Sequence, residues 1–184
     1  MSEIKINNRE LKNIAAEFLN GDKQSDLLDF NEFLQANNFK PRRVAKNAWE
    51  VKLYGNQILR RFRINAKEKS WSVNLHFFSD YNEQITNNEL KNFVWNNIRQ
   101  NRCQHEFQNC RNYSTINILG KNIDMVCCCG QITVIDPSGK ALEHTKTLVL
   151  IAKTIVENAL AEGKIEKSNT KGEDRLIAYG SPSK

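Results

Sequence analysis

Three consecutive stretches with a two-residue hydrophobic alternation constrain this chain more than any other feature. Trp49, Val51 and Leu53 alternate with Ala48, Glu50 and Lys52. After the turn chemistry of Tyr54-Gly55-Asn56-Gln57, the alternation resumes at Ile58, Phe62 and Ile64, and again at Trp71, Val73, Leu75 and Phe77, with Ser72, Asn74 and His76 between. Successive side chains of a strand point to opposite faces, so such runs lay one face on a core and leave the other to water. The links are short and polar, which makes neighbouring strands antiparallel, with the strand over 57–65 in the middle. A two-residue Gly55-Asn56 loop sets Leu53 opposite Ile58, Val51 opposite Arg60, Trp49 opposite Phe62 and Glu50 opposite Arg61. That register yields an inward aromatic pair and an outward ion pair.

The flanking segments read as helices. Leu11, Ile14, Ala15, Phe18 and Leu19 keep helical spacing, with Asn8 as N-cap and Gly21 as the stop. Asp29 and Glu32 have the form of a capping box that opens a second helix through Phe30, Phe33 and Leu34. A third spans 88–98. Thr115 to Leu119, the turn Gly120-Lys121-Asn122 and Ile123 to Ile135 predict a second hairpin, and Asp136-Pro137-Ser138-Gly139 predicts a turn into a long helix over 140–162, stopped by Gly163. The fold class expected is α+β: an antiparallel sheet of about five strands, a three-stranded meander plus a second hairpin, covered on one face by helices. Residues 1–162 read as one domain and 163–184 as a polar tail. This order of elements is similar in outline to small bacterial α+β domains, a resemblance that carries no functional residue across.

The N-terminal stretch lacks an apolar signal segment. The longest aliphatic run, Leu148 to Ala152, falls far short of the roughly 20 residues that span a bilayer. Five cysteines, three of them adjacent at Cys127, Cys128 and Cys129, suit no disulfide framework and point to reduced thiols in a cytoplasmic protein.

The formal net charge is +6, from 27 Lys and Arg against 21 Asp and Glu. It is concentrated in one place. Residues 40–63 carry eight cations and one anion, a net of +7, whereas the other 160 residues carry 19 cations and 20 anions. On the register above, Lys46, Lys52, Arg61 and Arg63 share the outward face with Ser72, Asn74 and His76. Guanidinium forks bind phosphate oxygens bidentately and displace counterions, so this face is a candidate site for nucleic acid or for a phosphate- or carboxylate-bearing small molecule. The plainer alternative is a solvated sheet face whose Lys and Arg residues discourage edge association. Arg60 breaks the pattern, since strict alternation points it inward between Val51 and Leu75. There it requires a bound anion, a helix carboxylate, or a bulge that turns it outward.

A second candidate uses different chemistry. Cys103, His105 and Cys110 on one polar stretch, with Cys127 on a later strand, supply enough soft ligands for tetrahedral zinc, although the diagnostic C-x2-C knuckle is missing. Packing alone also explains an apolar strand of Met125 to Cys129. Cys103 and His105 have no third group to orient them as nucleophile and base, and no Gly-rich phosphate loop or hydrolase elbow occurs. The expectation is therefore a non-catalytic binding module, with a zinc- or thiol-dependent protein as the alternative.

Overall fold

The computed structural model describes residues 8–54, 56–76, 80–98, 114–126 and 131–165. Helices α1 (Asn8–Phe18) and α2 (Gly21–Ala36) precede four strands, β1 (Lys40–Ala45), β2 (Ala48–Leu53), β3 (Asn56–Asn65) and β4 (Ser70–His76). Then follow α3 (Tyr81–Gln84), α4 (Asn88–Asn97), β5 (Ser114–Ile118), β6 (Lys121–Val126), β7 (Gln131–Ile135) and α5 (Gly139–Ala161). The main sheet has five antiparallel strands in the order β1-β2-β3-β4-β7, and β5-β6 form a separate hairpin. The α+β architecture thus has its five strands, but the meander is longer by β1, and the stretch expected as one strand over 123–135 is divided between β6 and β7.

Two inward rows cross the sheet. Pro41, Val51, Leu59, Leu75 and Ile132 are successive cross-strand partners, and so are Arg43, Trp49, Phe62, Val73 and Val134. Both rows are buried except at Arg43 on the edge, whose guanidinium reaches Glu10 of α1. Helices α1, α2 and α5 pack against these strands, so the core lies on one side of the sheet. Phe30 of α2 meets Phe62 edge-on at 6.0 Å and Trp71 at 5.8 Å, while Trp49 and Phe62 stack at 5.2 Å. Such aromatic geometries add to the area each ring buries. Helix α5 contributes Leu142, Leu148, Val149, Ala152, Ile155, Val156 and Ala159. It is tied to α2 by Lys146, which reaches Asp29 at 2.7 Å, and by Lys153, which donates to the Asn37 carbonyl at 3.2 Å.

Helix α2 starts eight residues before the expected Asp29. Gly21 takes a left-handed φ of 53° at the corner with α1 and begins α2 instead of only ending α1. The first buried residue of α2 is Leu27, so its opening turns have no apolar stripe for periodicity to detect.

Strand β3 carries two more residues than β2 between their shared pairs. Trp49 pairs with Phe62 as expected, but Val51 pairs with Leu59 and Leu53 with Asn56. The turn falls one residue earlier than Gly55-Asn56, with Tyr54 at a φ of 50°. Against β4 the ladder runs from Leu59–Leu75 to Arg61–Asn74, leaving Arg60 as the extra residue of a bulge. Leu59 takes the inward place that strict alternation assigns to Arg60.

Both sheet edges are protected. Edge strand β1 contains Pro41, three cations and an irregularity between Arg43 and Ala45, and β7 is bridged at Ile132 by Ile98 beyond α4. The β5-β6 hairpin is held by the Trp95 indole, which donates to the Ile118 carbonyl at 2.8 Å, and by the Leu119 amide, which donates to Asn82 Oδ1 at 2.6 Å.

Candidate functional site

With the helices on one side, the opposite face of the sheet is built by the alternate residues of each strand. One row runs through Arg61, Asn74 and Thr133, and the next through Ala48, Arg63, Ser72 and Ile135. Arg42 and Glu50 are partners on the same side of β1 and β2, and Lys40 faces Lys52 in the row beyond.

Glu50 is 7% exposed and neutralises part of this face. Its Oε1 accepts from Arg42 Nε at 2.8 Å and from Arg42 Nη2, and Lys52 Nζ lies 3.6 Å away. The expected Glu50–Arg61 ion pair is therefore replaced, for two reasons. The bulge at Arg60 changes which residue lies beside Glu50, and β1, which sequence periodicity does not reveal, brings Arg42 directly opposite. Arg43 is also engaged, by Glu10 and by the carbonyls of Ala45 and Lys46.

Arg61 and Arg63 differ from these. Both are exposed, and among the described residues neither side chain has an ion pair or hydrogen bond. They stand two positions apart on the central strand, so their stems leave the sheet side by side at about 6.7 Å. Arg60 is half-buried at the bulge and has an interaction partner there. Lys46 lies in the turn between β1 and β2, outside the sheet, because Ala45 pairs with Ala48 and leaves Lys46 and Asn47 as the turn. His76 ends β4 and pairs with Gln131.

Beneath the two free guanidiniums lie polar groups that lack partners. Asn74 Oδ1 and Thr133 Oγ1, cross-strand neighbours, are both buried and make no hydrogen bond. Ser72 is buried beside Arg63, and Ile135, at the end of its row, is 67% exposed. Sequence periodicity alone does not bring Thr133 and Ile135 to this face, because it joins their strand to the second hairpin. The signal was present in Ile132 and Val134, which alternate with Gln131, Thr133 and Ile135 immediately before the Asp-Pro turn.

The metal-site candidates Cys103, His105, Cys110 and Cys127 lie outside the described residues, and among the described residues no group of His, Cys, Asp and Glu is arranged to hold a metal ion. The tail beyond 165 also lies outside them. Among the described residues no helix is long and apolar enough to cross a membrane. Compared with models of known protein families, with curated proteins and with solved structures, the chain matches none.

Proposed function

We propose that this protein is a cytoplasmic, non-catalytic module that binds an anionic ligand on the face of its main sheet opposite helices α1, α2 and α5. One observation carries the reading: Arg61 and Arg63 project side by side from the central strand, exposed and uncompensated, whereas Arg42 and Arg43 of the same basic stretch are held by Glu50 and Glu10. Neutralised cations stabilise the fold; uncompensated ones on an exposed surface attract polyanions, and binding to them releases counterions. The cytoplasmic location rests on the cysteine content of the sequence.

Binding of fluorescently labelled polyphosphate to the full chain tests this reading. Affinity is expected to fall steeply between 50 and 200 mM salt and to drop at least tenfold in the double variant R61Q/R63Q. Binding that ignores both salt and those two residues would contradict it.

One observation favours a second reading, a zinc- or thiol-dependent protein. Ile98 is bridged to Ile132, and Ser114 pairs with Val126. The described residues that flank the stretch 99–113, Ile98 and Ser114, are therefore neighbours of those that flank the stretch 127–130. Val126 and Gln131 are no more than about 18 Å apart. Metal analysis of chain purified without chelator checks the zinc form: one zinc per chain supports it, and a metal-free, stably folded chain excludes it; a melting temperature unchanged by thiol alkylation excludes the thiol form.

A further inference from the structure

We infer that the anion taken by this face is an extended single strand of nucleic acid, with its phosphates along β3 and its bases over β4 and β7. The inference rests on the anion-binding reading above and adds the class of ligand.

Two parallel rows carry the argument. Arg61, Asn74 and Thr133 form the first, and Arg63, Ser72 and Ile135 the second, all on the face away from the helices. Each row begins with an exposed guanidinium, passes through a side chain that both donates and accepts hydrogen bonds, and ends on β7. Neighbouring strands lie about 4.8 Å apart, so a row reaches roughly 10 Å from β3 to β7, and the rows repeat about 6.7 Å along the strands. That repeat is close to the separation of successive phosphates in an extended polynucleotide, and the row is long enough to take a phosphate at one end and its base at the other.

The middle of the first row says what the ligand must carry. Asn74 Oδ1 is an acceptor and Thr133 Oγ1 both donates and accepts, and neither has a hydrogen-bond partner. A phosphodiester, sulfate or carboxylate offers acceptors alone, so it satisfies Arg61 and leaves Asn74 Oδ1 without a donor. A nucleobase edge offers N–H donors next to acceptors and satisfies both. Asn74 and Thr133 are partly exposed as residues, and a base laid on this face requires each side chain to turn its buried oxygen outward. In the second row Ile135, 67% exposed, offers an apolar contact to the face of the next base. A duplex keeps its base edges in grooves that a flat sheet face cannot enter, whereas a single strand can lay its bases open across it.

Fluorescence anisotropy with the full chain and three probes tests the inference. The probes are a mixed-sequence single-stranded octanucleotide, the same octamer made abasic throughout, and its duplex. The single strand is expected to bind at least tenfold more tightly than the abasic strand or the duplex. In the double variant N74A/T133V that margin is expected to shrink to less than threefold with abasic affinity unchanged, and in R61Q/R63Q binding of all three is weakened at least tenfold at low salt. Equal affinity for abasic and base-bearing strands, or a preference for duplex, overturns the inference while leaving anion binding in place. Failure of all three probes and of polyphosphate removes the anion-binding reading as well. The three-probe comparison uses the unaltered protein, so it decides the question even where a variant fails to fold.

Discussion

Trp71 and Asp136 exchange two hydrogen bonds: the Trp71 amide donates to Asp136 Oδ1 at 2.8 Å, and the Asp136 amide donates to the Trp71 carbonyl at 2.8 Å. Asp136 Oδ2 also receives Lys23 Nζ of α2 at 2.6 Å. One side chain therefore joins the start of β4, the end of β7 and the opening turns of α2. These are the turns that have no apolar stripe of their own.

Replacing Asp136 by Ala removes the acceptor of the Trp71 amide and the partner of Lys23. The expected loss is about 2 kcal/mol, as for other partly buried, charge-assisted hydrogen bonds. Asp136 also holds a φ of 44°, which Asn tolerates, so Asp136→Asn keeps the geometry and the Trp71 bond and loses less. Urea denaturation of the three proteins measures the difference.

Phe62 is fully buried between Trp49 and Phe30. Phe62→Ala leaves a cavity where the central strand meets α2, and about 3–5 kcal/mol of stability is expected to go with it. The same substitution at exposed Arg63, the next residue along the strand and on its opposite face, is expected to change stability by less than about 0.5 kcal/mol. Denaturation midpoints with equal m-values check both.

How legible this site is from sequence follows from particular residues. Trp49 and Phe62 pair as alternation requires, because both face the core and the register shifts only beyond them, between Trp49 and Val51. Arg60 does not, because counting by twos assumes that every residue has one partner, and the extra residue of a bulge leaves no mark in the hydrophobic pattern. Strand β1 is invisible for another reason. As an edge strand it buries only Pro41, so the stretch Lys40-Pro41-Arg42-Arg43 reads as a charged connection. That single omission hid the true partner of Glu50, and with it the fact that Arg61 is left uncompensated.

Asp26 tests the electrostatics of α2. Its carboxyl is raised above the ordinary value of 3.8, first by burial and then by Asp22 and Asp29 on the same helix, with Lys146 opposing. A raised carboxylate pKa means that the folded chain holds its proton more tightly than the unfolded one. The ionised group therefore destabilises the fold at neutral pH, and the penalty disappears as pH falls through the raised value towards 3.8. Asp26→Asn is expected to raise Tm at pH 7 by a degree or so and to leave it unchanged below pH 3.8. Calorimetry at the two pH values measures it.

Glu50 gives a test in the opposite direction. Glu50→Gln removes the anion that neutralises Arg42 and Lys52. Polyanion affinity at low salt is expected to rise about fivefold, from the roughly 1 kcal/mol that one unit charge contributes at close range in water. Thermal stability is expected to fall, because the cations lose their partner. Parallel binding and melting measurements separate the two effects.

The most direct test of the central claim is the salt dependence of single-strand binding, measured as log K against log salt for the wild type and for R61Q/R63Q. If Arg61 and Arg63 each contact one phosphate, the slope becomes shallower by about 1.4, twice the roughly 0.7 that each neutralised phosphate of a single strand contributes. An unchanged slope in the double variant would contradict the account.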